Sequence, residues 1–249
     1  RTRQRQHVLE KERIAMLKIT PILCRAGKMD NYAYLLTDEA TGVSAVLDPS
    51  EAAPVIAECE RQNVRPAYIF NSHHHFDHVE GNLEVKEKYG AKVLVGAYDC
   101  NRIPGADAGL ADGDVFRLGE SEARIIRADG HATGHILWYF PADGVLFTGD
   151  VLFNLSIGGL FEGTVEEMWG SLQRIKKLPD DTLFYPGHEY TLYGLNGIYG
   201  PAADRYAAKA EARLREGLPA APFTLGEEKV CNPYLACRNL GEFYQIMGS

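Results

Sequence analysis

The feature that most constrains this chain is the run Ser72-His-His-His-Phe-Asp-His78, which concentrates imidazoles and a carboxylate in one short segment. The potential ligands are His73, His75, Asp77 and His78. An apolar, strand-like run (66–70) precedes this segment and a helical stretch (80–88) follows it, so the cluster is predicted on a loop at a strand end. Such groups repel one another when protonated and are costly to bury without partners. A divalent cation removes both problems, because neutral imidazole and carboxylate bind zinc and also suit iron or manganese.

The other histidines do not have the scattered distribution of surface residues. The chain has eight His; His7 lies in the first segment, and four crowd the loop just described. The remaining three, His131, His135 and His188, each follow a turn. Asp150 ends an apolar strand-like run that begins at Val145. A solvated His-rich loop without metal is the alternative interpretation, and this placement disfavours it.

The number of candidate ligands bears on the number of metals. Five of these histidines, with Asp77 and Asp150, make seven candidate ligands. One catalytic zinc takes about three protein ligands and a water, so the set suits two metals that share a carboxylate. Two metals roughly 3.5 Å apart can hold a bridging hydroxide as a nucleophile at neutral pH. The sequence therefore predicts a dinuclear hydrolytic centre.

These residues resemble the ligand pattern of the metallo-β-lactamase superfamily, and within it the chain is most similar to glyoxalase II, the hydroxyacylglutathione hydrolases. The resemblance runs from about residue 17 to about residue 238. Its further motifs are Asp30–Leu35, Gly130–His135, Phe147–Phe153, Leu160–Thr164, Tyr185–Thr191, Leu225–Glu228 and Asn232-Pro233. The histidine loop specifies only the superfamily, whereas the Gly-Glu-Glu and Asn-Pro motifs near the C-terminus indicate glyoxalase II.

The resemblance implies a role for each ligand. Metal one would be bound by His73, His75 and His131, metal two by Asp77, His78 and His188, and Asp150 would bridge them. Asp77 and Asp150 are thereby the candidate catalytic carboxylates, since they would help hold the hydroxide. His74 is expected to point away and to support the structure. His135 is expected either to hydrogen-bond a ligand or to be a satisfied core histidine.

The implied reaction is hydrolysis of S-D-lactoylglutathione, or a related 2-hydroxyacyl thioester, to the free thiol and D-lactate, as in methylglyoxal detoxification. The implied cofactors are two divalent metal ions, first zinc, with iron or manganese as alternatives. A thiol has a pKa of about 8.5, so its thiolate leaves without a separate general acid. A lactonase or a persulfide dioxygenase of the same fold remains an alternative. A β-lactamase is disfavoured because it typically carries Cys where Asp150 stands, and a non-enzymatic metal-binding module because the ligand set is complete.

The segment that should hold the thiol carrier departs from the family pattern. The resemblance assigns six residues to the substrate site: Gly159, Phe161, Tyr190, Tyr234, Cys237 and Arg238. A basic residue and a Tyr of the family fall on Gly159 and Phe161, and an Arg falls on Ala236. Glutathione could bind more weakly, with Arg238 as a partial substitute. Alternatively the carrier differs, as in the trypanothione enzymes of this family, which also lack those basic residues and carry Tyr and Cys resembling Tyr234 and Cys237.

The resemblance implies an α/β fold, the αββα sandwich, with a small C-terminal helical domain. Hairpins are predicted around Gly119 and Asp143-Gly144. Thr164 and Glu167 form a capping-box pattern that opens an amphipathic helix. Residues 182–185 are expected to form the last strand. The expected division is an extension at 1–15, a metal-binding domain at 16–189 and a helical substrate-binding domain at 190–249.

Composition limits the partners and the compartment. The net charge of −8 argues against general nucleic-acid binding. No apolar run approaches about 18 residues, so no membrane span is expected. The five cysteines are odd in number and lack ligand spacing, which favours reduced thiols in the cytoplasm. Glu10 and Glu12 weaken a targeting function for residues 1–15, although organellar targeting stays open. We expect a monomer acting on a small-molecule thioester.

Overall fold

The computed structural model describes residues 17–194 and 200–248, and within these residues two six-stranded sheets face each other. The first sheet follows chain order: β1 Leu17–Cys24, β2 Asn31–Asp38, β3 Ser44–Leu47, β4 Tyr68–Phe70, β5 Lys92–Gly96 and β6 Ala106–Leu110. The second contains β7 Val115–Leu118, β8 Ser121–Arg127, β9 Ile136–Phe140, β10 Val145–Gly149, β13 Leu183–Pro186 and β14 Phe223–Thr224, in the order β14-β13-β10-β9-β8-β7. A small hairpin pairs β11 Leu152–Phe153 with β12 Ser156–Ile157.

Helices cover the outer faces of both sheets. The helices are α1 Ala52–Arg61, α2 Phe76–Val79, α3 Asn82–Tyr89, α4 Val165–Lys176, α5 Thr191–Gly194, α6 Pro201–Arg215, α7 Leu225–Cys231, α8 Pro233–Ala236 and α9 Leu240–Met247. Val55 of α1 and Val85 of α3 are buried in the cluster beneath the first sheet. Leu172 of α4 is buried in a cluster with Phe184 of the second sheet. The predicted αββα sandwich is therefore confirmed.

The space between the sheets is filled by large aromatic side chains. Phe70 of the first sheet stacks on Trp138 of the second, with ring centroids 4.0 Å apart. Tyr34 packs against Phe147 across the same interface at 5.2 Å. Such residues bury about 150–250 Å² each, so this layer holds the two sheets in a fixed relation. The space between the sheets is filled by apolar side chains, and the candidate metal ligands lie at one edge of the sandwich.

The structure confirms the two hairpin turns and the helix start that the sequence predicts. The two predicted hairpins turn at Gly119 and Gly144, which have φ of +64° and +66°, in the left-handed region that favours glycine. Thr164 accepts a hydrogen bond from the N–H of Glu167, and the Glu167 side chain accepts one from the N–H of Thr164. This capping box starts α4, whose buried face carries the expected Met168, Leu172 and Ile175.

The strand predicted at residues 182–185 is present as β13 (Leu183–Pro186), but the expectation that it is the last strand is wrong. Phe223–Thr224 adds β14, which pairs antiparallel with β13. Two residues are too few to show the alternation that marks a strand in a sequence. The region that follows residue 190 is mainly helical, as predicted, and its Phe243 packs in the same core cluster as α4. Its status as a separate domain stays a prediction.

The expectations for residues 1–15 fall outside the described part of the chain. No helix among residues 17–194 and 200–248 is both long and apolar enough to traverse a bilayer. The five cysteines are free thiols.

Candidate metal centre and substrate pocket

The candidate ligands lie at strand ends on one edge of the sandwich. The His73–His78 segment follows β4, and the prediction that all of it is a loop is wrong, because Asp77 and His78 lie in the short helix α2. Asp150 directly follows β10. His188 follows β13, which runs parallel to β10. His131 lies in the connection between β8 and β9. An isolated bridge between Asn31 and His188 joins the two sheets at this edge. The parallel strands thus deliver side chains far apart in sequence to one place.

The seven candidate ligands meet in two groups that share Asp150. His73, His75 and His131 place ring nitrogens within 4.8 Å of one another, as do Asp77, His78 and His188 with their ligand atoms. Asp150 Oδ2 lies 3.5 Å from His131 Nε2 in the first group and 3.2 Å from His188 Nε2 in the second. The grouping expected from the sequence is therefore the one that the structure brings together.

Outer hydrogen bonds fix which ring nitrogen of each histidine faces inward. Nδ1 of three imidazoles faces an oxygen acceptor: His78 with Asp48 Oδ2 (3.2 Å), His131 with the Gly159 carbonyl (2.8 Å) and His188 with the Met29 carbonyl (2.7 Å). These oxygens only accept, so Nδ1 carries a proton, and Nε2 is the nitrogen directed into the site. This is the arrangement of metal-binding imidazoles.

Several buried atoms fit a cation better than any protein partner. His73 Nε2 and Asp150 Oδ1 are buried and have no hydrogen-bond partner. His75 Nδ1 faces His131 Nε2 at 3.0 Å, and His78 Nε2 faces His188 Nε2 at 3.3 Å. Buried polar atoms are normally paired, and each pair of facing nitrogens can hydrogen-bond only if one of the two carries a proton. The donor set of imidazoles and carboxylates, completed by these orphaned atoms, suits divalent metal ions.

Burial and neighbouring charges shift the pKa values of the histidines and carboxylates in the site. Burial opposes a charge on His188, but Asp150 and Asp77 outweigh it and raise its pKa to about 9. Burial also opposes the charge on Asp150, yet His78 and His188 hold its pKa well below the usual range. Burial lowers the pKa of His75 to about 4 and holds that of His73 well below its usual value. The carboxylates thus stay ionised and His73 and His75 stay neutral at physiological pH, as metal binding requires.

Asp48 supports this centre and was not assigned to it from the sequence. It is buried, directly follows β3, and has a positive φ of 48°. Its carboxylate accepts hydrogen bonds from the Ser72 N–H at 2.8 Å and the Ser72 hydroxyl at 2.6 Å, as well as from His78. The hydroxyl lies 2.9 Å from Nδ1 of His73. Asp48 therefore orients a ligand in each group. A carboxylate at the end of an apolar strand was the available signal.

We expect Asp48→Asn to weaken metal binding by about 10- to 100-fold, because the amide cannot accept from all three donors. Titration of the metal-free variant with zinc measures this. Asp38→Asn is the matched control, since Asp38 is equally buried and accepts from Ser121 and Thr41 away from the centre. Equal losses of affinity in both variants would contradict the assigned role.

His74 faces away from the two ligand groups. Its Nε2 lies 3.0 Å from Glu162 Oε1 and 2.5 Å from a guanidinium nitrogen of Arg102. Arg102 also pairs with Glu162 at 2.6 Å. His74, His75 and Glu162 are close enough to suggest another cation site, but the guanidinium already supplies a positive charge there. His74 therefore links the His73–His78 segment to Glu162, which is the supporting role expected from the sequence.

His135 takes the first of the two roles considered for it, a hydrogen bond to a ligand residue, and is not a satisfied core histidine, because its buried Nδ1 has no hydrogen-bond partner. It is fully buried and stacks on His73 with ring centroids 4.8 Å apart. Its Nε2 accepts a hydrogen bond from the N–H of Asp150 at 3.2 Å. It therefore fixes the backbone from which the shared carboxylate projects.

A pocket of about 560 Å³ opens above the centre. His75, Asp77, His131, Asp150 and His188 line its inner part. The other walls are mainly aromatic and come from Phe76, Phe153, Phe161, Tyr190, Tyr193 and Tyr234. Neither Lys nor Arg of the described residues is among the lining side chains. The pocket suits an uncharged or apolar group next to the candidate metal centre.

Four of the six residues assigned to the substrate site line this pocket: Gly159, Phe161, Tyr190 and Tyr234. Tyr190 stacks on His188, with ring centroids 4.6 Å apart and planes 10° apart. The other two are placed elsewhere. The Cys237 thiol is buried in the core and donates to the Pro233 carbonyl at 3.3 Å. Arg238 is exposed and forms an ion pair with Glu242. It follows Cys237, where the backbone leaves the helical conformation of α8.

Comparison with known proteins agrees with this geometry. The family model of the metallo-β-lactamase superfamily matches residues 26–188. The hydroxyacylglutathione hydrolase of Pelagibacter ubique is 43% identical over 211 residues, which cover 83% of this chain and 88% of that protein. This chain belongs to the hydroxyacylglutathione hydrolase family. The hydroxyacylglutathione hydrolase of Methylococcus capsulatus is also 43% identical over 211 residues, 83% of this chain and 82% of that protein.

Solved structures support the fold of this family member. The crystal structure of ETHE1 from Myxococcus xanthus matches with a TM-score of 0.70 at 24% identity, covering 93% of this chain and 90% of that one. The BLEG-1 B3 metallo-β-lactamase matches with a TM-score of 0.67 at 24% identity, covering 89% and 100%. At this identity the two structures establish the shared sandwich fold. They do not establish the activity, which depends on the residues of the site.

Proposed function

We propose that this family member hydrolyses S-D-lactoylglutathione, or a related 2-hydroxyacyl thioester, to the free thiol and D-lactate, and so acts in methylglyoxal detoxification. The observation that carries the proposal is the pair of ligand groups joined by Asp150 in the inner part of an aromatic pocket. Two divalent ions, first zinc, would be held by these groups and would supply Lewis acidity and a water of lowered pKa.

The chain's own residues would orient the reaction. Asn31 Nδ2 donates to Asp77 Oδ2 at 2.9 Å and so fixes one carboxylate of the centre. The buried ring of Phe153 would shield one side of the acyl group from water, whereas Phe76, Phe161 and Tyr193 are exposed. The thiolate product leaves without a general acid, since a thiol pKa is about 8.5. No cysteine lines the pocket in the described part of the chain, so a thiol nucleophile finds no support.

The test is steady-state hydrolysis of S-D-lactoylglutathione with metal content measured on the same preparation. Turnover by protein that carries two metal ions is the expected result. Without thioester turnover by such a protein, a lactone substrate becomes the better candidate. Oxygen consumption by a protein with a single iron would indicate a persulfide dioxygenase instead.

A different thiol carrier is the second candidate, and the composition of the pocket favours it. The described lining residues include no Lys or Arg to pair with a glutathione carboxylate, and Arg238 lies outside the pocket. A carrier such as trypanothione, whose glycine carboxylates are amide-linked, would not need such a partner. Hydrolysis of the same lactoyl group on trypanothione and on glutathione, measured side by side, separates the two carriers by kcat/KM.

Restoring a cation at the pocket should favour glutathione. A side chain at Gly159 would meet only the Phe161 ring, at 3.5 Å, so Lys can be accommodated there. We expect Gly159→Lys to lower the KM for S-D-lactoylglutathione about tenfold, because a hydrogen bond to a charged group contributes about 1.5–3 kcal/mol. Gly159→Met is the uncharged control and should not reproduce the gain. Ala236 is exposed and does not line the pocket, so Ala236→Arg should add little. An unchanged KM for Gly159→Lys would place the carrier carboxylate elsewhere.

A further inference from the structure

A buried carboxylate lies behind the pocket, in the Gly-Glu-Glu motif. Glu228 of α7 is completely buried and accepts hydrogen bonds from the Leu155 N–H at 3.0 Å, from Asn232 Nδ2 at 2.9 Å and from the Tyr206 hydroxyl. No Lys or Arg is among these partners. Burial raises the pKa of Glu228 to about 7, although the three hydrogen bonds favour its charged form. A carboxylate held without a cation in this way needs a structural reason.

The partner of this carboxylate is the β11–β12 hairpin. Leu155, at the turn of the hairpin, has a φ of +62°, a left-handed conformation that is unfavourable for a residue other than glycine. The hydrogen bond from its N–H to Glu228 holds this turn in place. Asn232 reinforces the link, because its Nδ2 also donates to the carbonyls of Phe153 (3.4 Å) and Ser156 (3.1 Å).

The hairpin forms one side of the pocket. It starts just after Asp150, and its Phe153, Ser156 and Ile157 line the pocket. It leads into Gly159, whose carbonyl accepts from His131 Nδ1. On the other side of the link, Asn232 Oδ1 accepts from the Tyr234 N–H at 3.0 Å at the start of α8. Two walls of the pocket, the hairpin and Tyr234, thus share one buried anchor.

We propose that Glu228, together with Asn232, is a positioning residue that fixes the Leu152–Ile157 hairpin and thereby sets the affinity for the thioester substrate. The proposal rests on the proposed function. Glu228 touches neither the candidate metal ligands nor the pocket surface, so its effect must pass through the hairpin. Its loss should raise KM and leave the metal content and kcat nearly unchanged.

The test compares Glu228→Met with Glu228→Gln. Met has a similar length but no acceptor, so the Leu155 N–H is left buried and unpaired. Gln keeps an oxygen for Leu155 and Asn232, and its amide can donate to the Tyr206 hydroxyl oxygen. We expect Glu228→Met to raise KM at least about fivefold with two metals retained, and Glu228→Gln to stay within about twofold of the original chain. Exchange of the Leu155 amide hydrogen should be fast in the Met variant and slow in the Gln variant.

Glu227→Met is the matched control for general destabilisation of α7. Glu227 is the adjacent residue, forms the capping box with Thr224 and pairs with Lys209, and it has no contact with the hairpin. A rise in KM for Glu227→Met equal to that for Glu228→Met would overturn the proposal. So would an unchanged KM in a folded Glu228→Met variant whose unmodified parent hydrolyses the thioester. Absence of hydrolysis by the parent is instead a failure of the proposed function.

If Glu228→Met does not fold, Asn232→Ser tests the same connection between α7 and the Leu152–Ile157 hairpin. Serine keeps an N-cap oxygen for α8 but cannot reach the carbonyls of Phe153 and Ser156. The expected result is again a raised KM, with kcat and metal content retained. A KM equal to that of the parent would refute the positioning role.

Discussion

Asp150→Ala should lose metal and hydrolysis together. Asp150 is a carboxylate with both oxygens close to the ligand groups: its Oδ2 lies 3.5 Å from His131 and 3.2 Å from His188, and its Oδ1 lies 3.4 Å from His78. Removing it leaves each group without the shared anionic ligand. We expect at most one metal ion per chain and a fall in kcat/KM of at least about a thousandfold, since metal activation contributes several kcal/mol.

The variant is best judged by metal analysis and kinetics on one preparation. Asp180→Ala is a suitable control, because Asp180 is exposed and forms a surface ion pair with Lys229. It should keep two metals and nearly full activity. Retention of two metals per chain by Asp150→Ala would mean that the bridging role is misassigned, even if hydrolysis fell.

The ligand set could be predicted because its signal is chemical and local. Three of the histidine ligands and Asp77 lie within the six residues 73–78, and Asp150 and His188 each follow a strand-like run that the sequence reveals. The two-sheet sandwich followed from the resemblance and from hairpin and capping signals of a few residues.

Contacts between distant residues could not be predicted in this way. Arg102 and Glu162 are 60 positions apart, and Glu228 is 73 positions from the Leu155 N–H that it accepts from. Neither pair has a periodic or spaced pattern that marks it, so only the folded chain shows that they meet. The position of Cys237 was missed for a different reason. It depends on the backbone at the end of α8, where a φ of −52° and a ψ of 134° turn the side chain into the core.

Removal of the metals should lower the thermal stability markedly, and the loss should depend on pH. Metal ions that bind the folded state alone, at about 1,000 times their Kd, contribute about 4 kcal/mol, which corresponds to about 8–16 °C in Tm for a chain of this size. The buried ligands lose their common partner when the metals are removed. A difference in Tm of about this size between zinc-loaded and chelator-treated protein is the expected result.

The direction of the pH dependence follows from the histidines. In the metal-free chain the pKa of His188 is raised from 6.5 to about 9, and that of His78 is raised as well. The folded state then retains protons that the unfolded state releases, so this stability is complete below about pH 6.5 and is lost as the pH rises through about 9. His73, His75 and His131 have lowered pKa values, so protonation of the unfolded state reduces stability as the pH falls below about 6.5.

The metal-free protein should therefore be most stable near pH 6.5, and its Tm should fall towards alkaline pH. Bound metal requires neutral His78 and His188, so loading releases protons and the gain in Tm from metal should increase between about pH 6.5 and about pH 9. Calorimetric scans of zinc-loaded and chelator-treated protein from about pH 5.5 to about pH 9.5 measure both trends. Parallel curves for the two forms would show that these histidines do not exchange protons for metal, and the candidate ligand set would then be wrong.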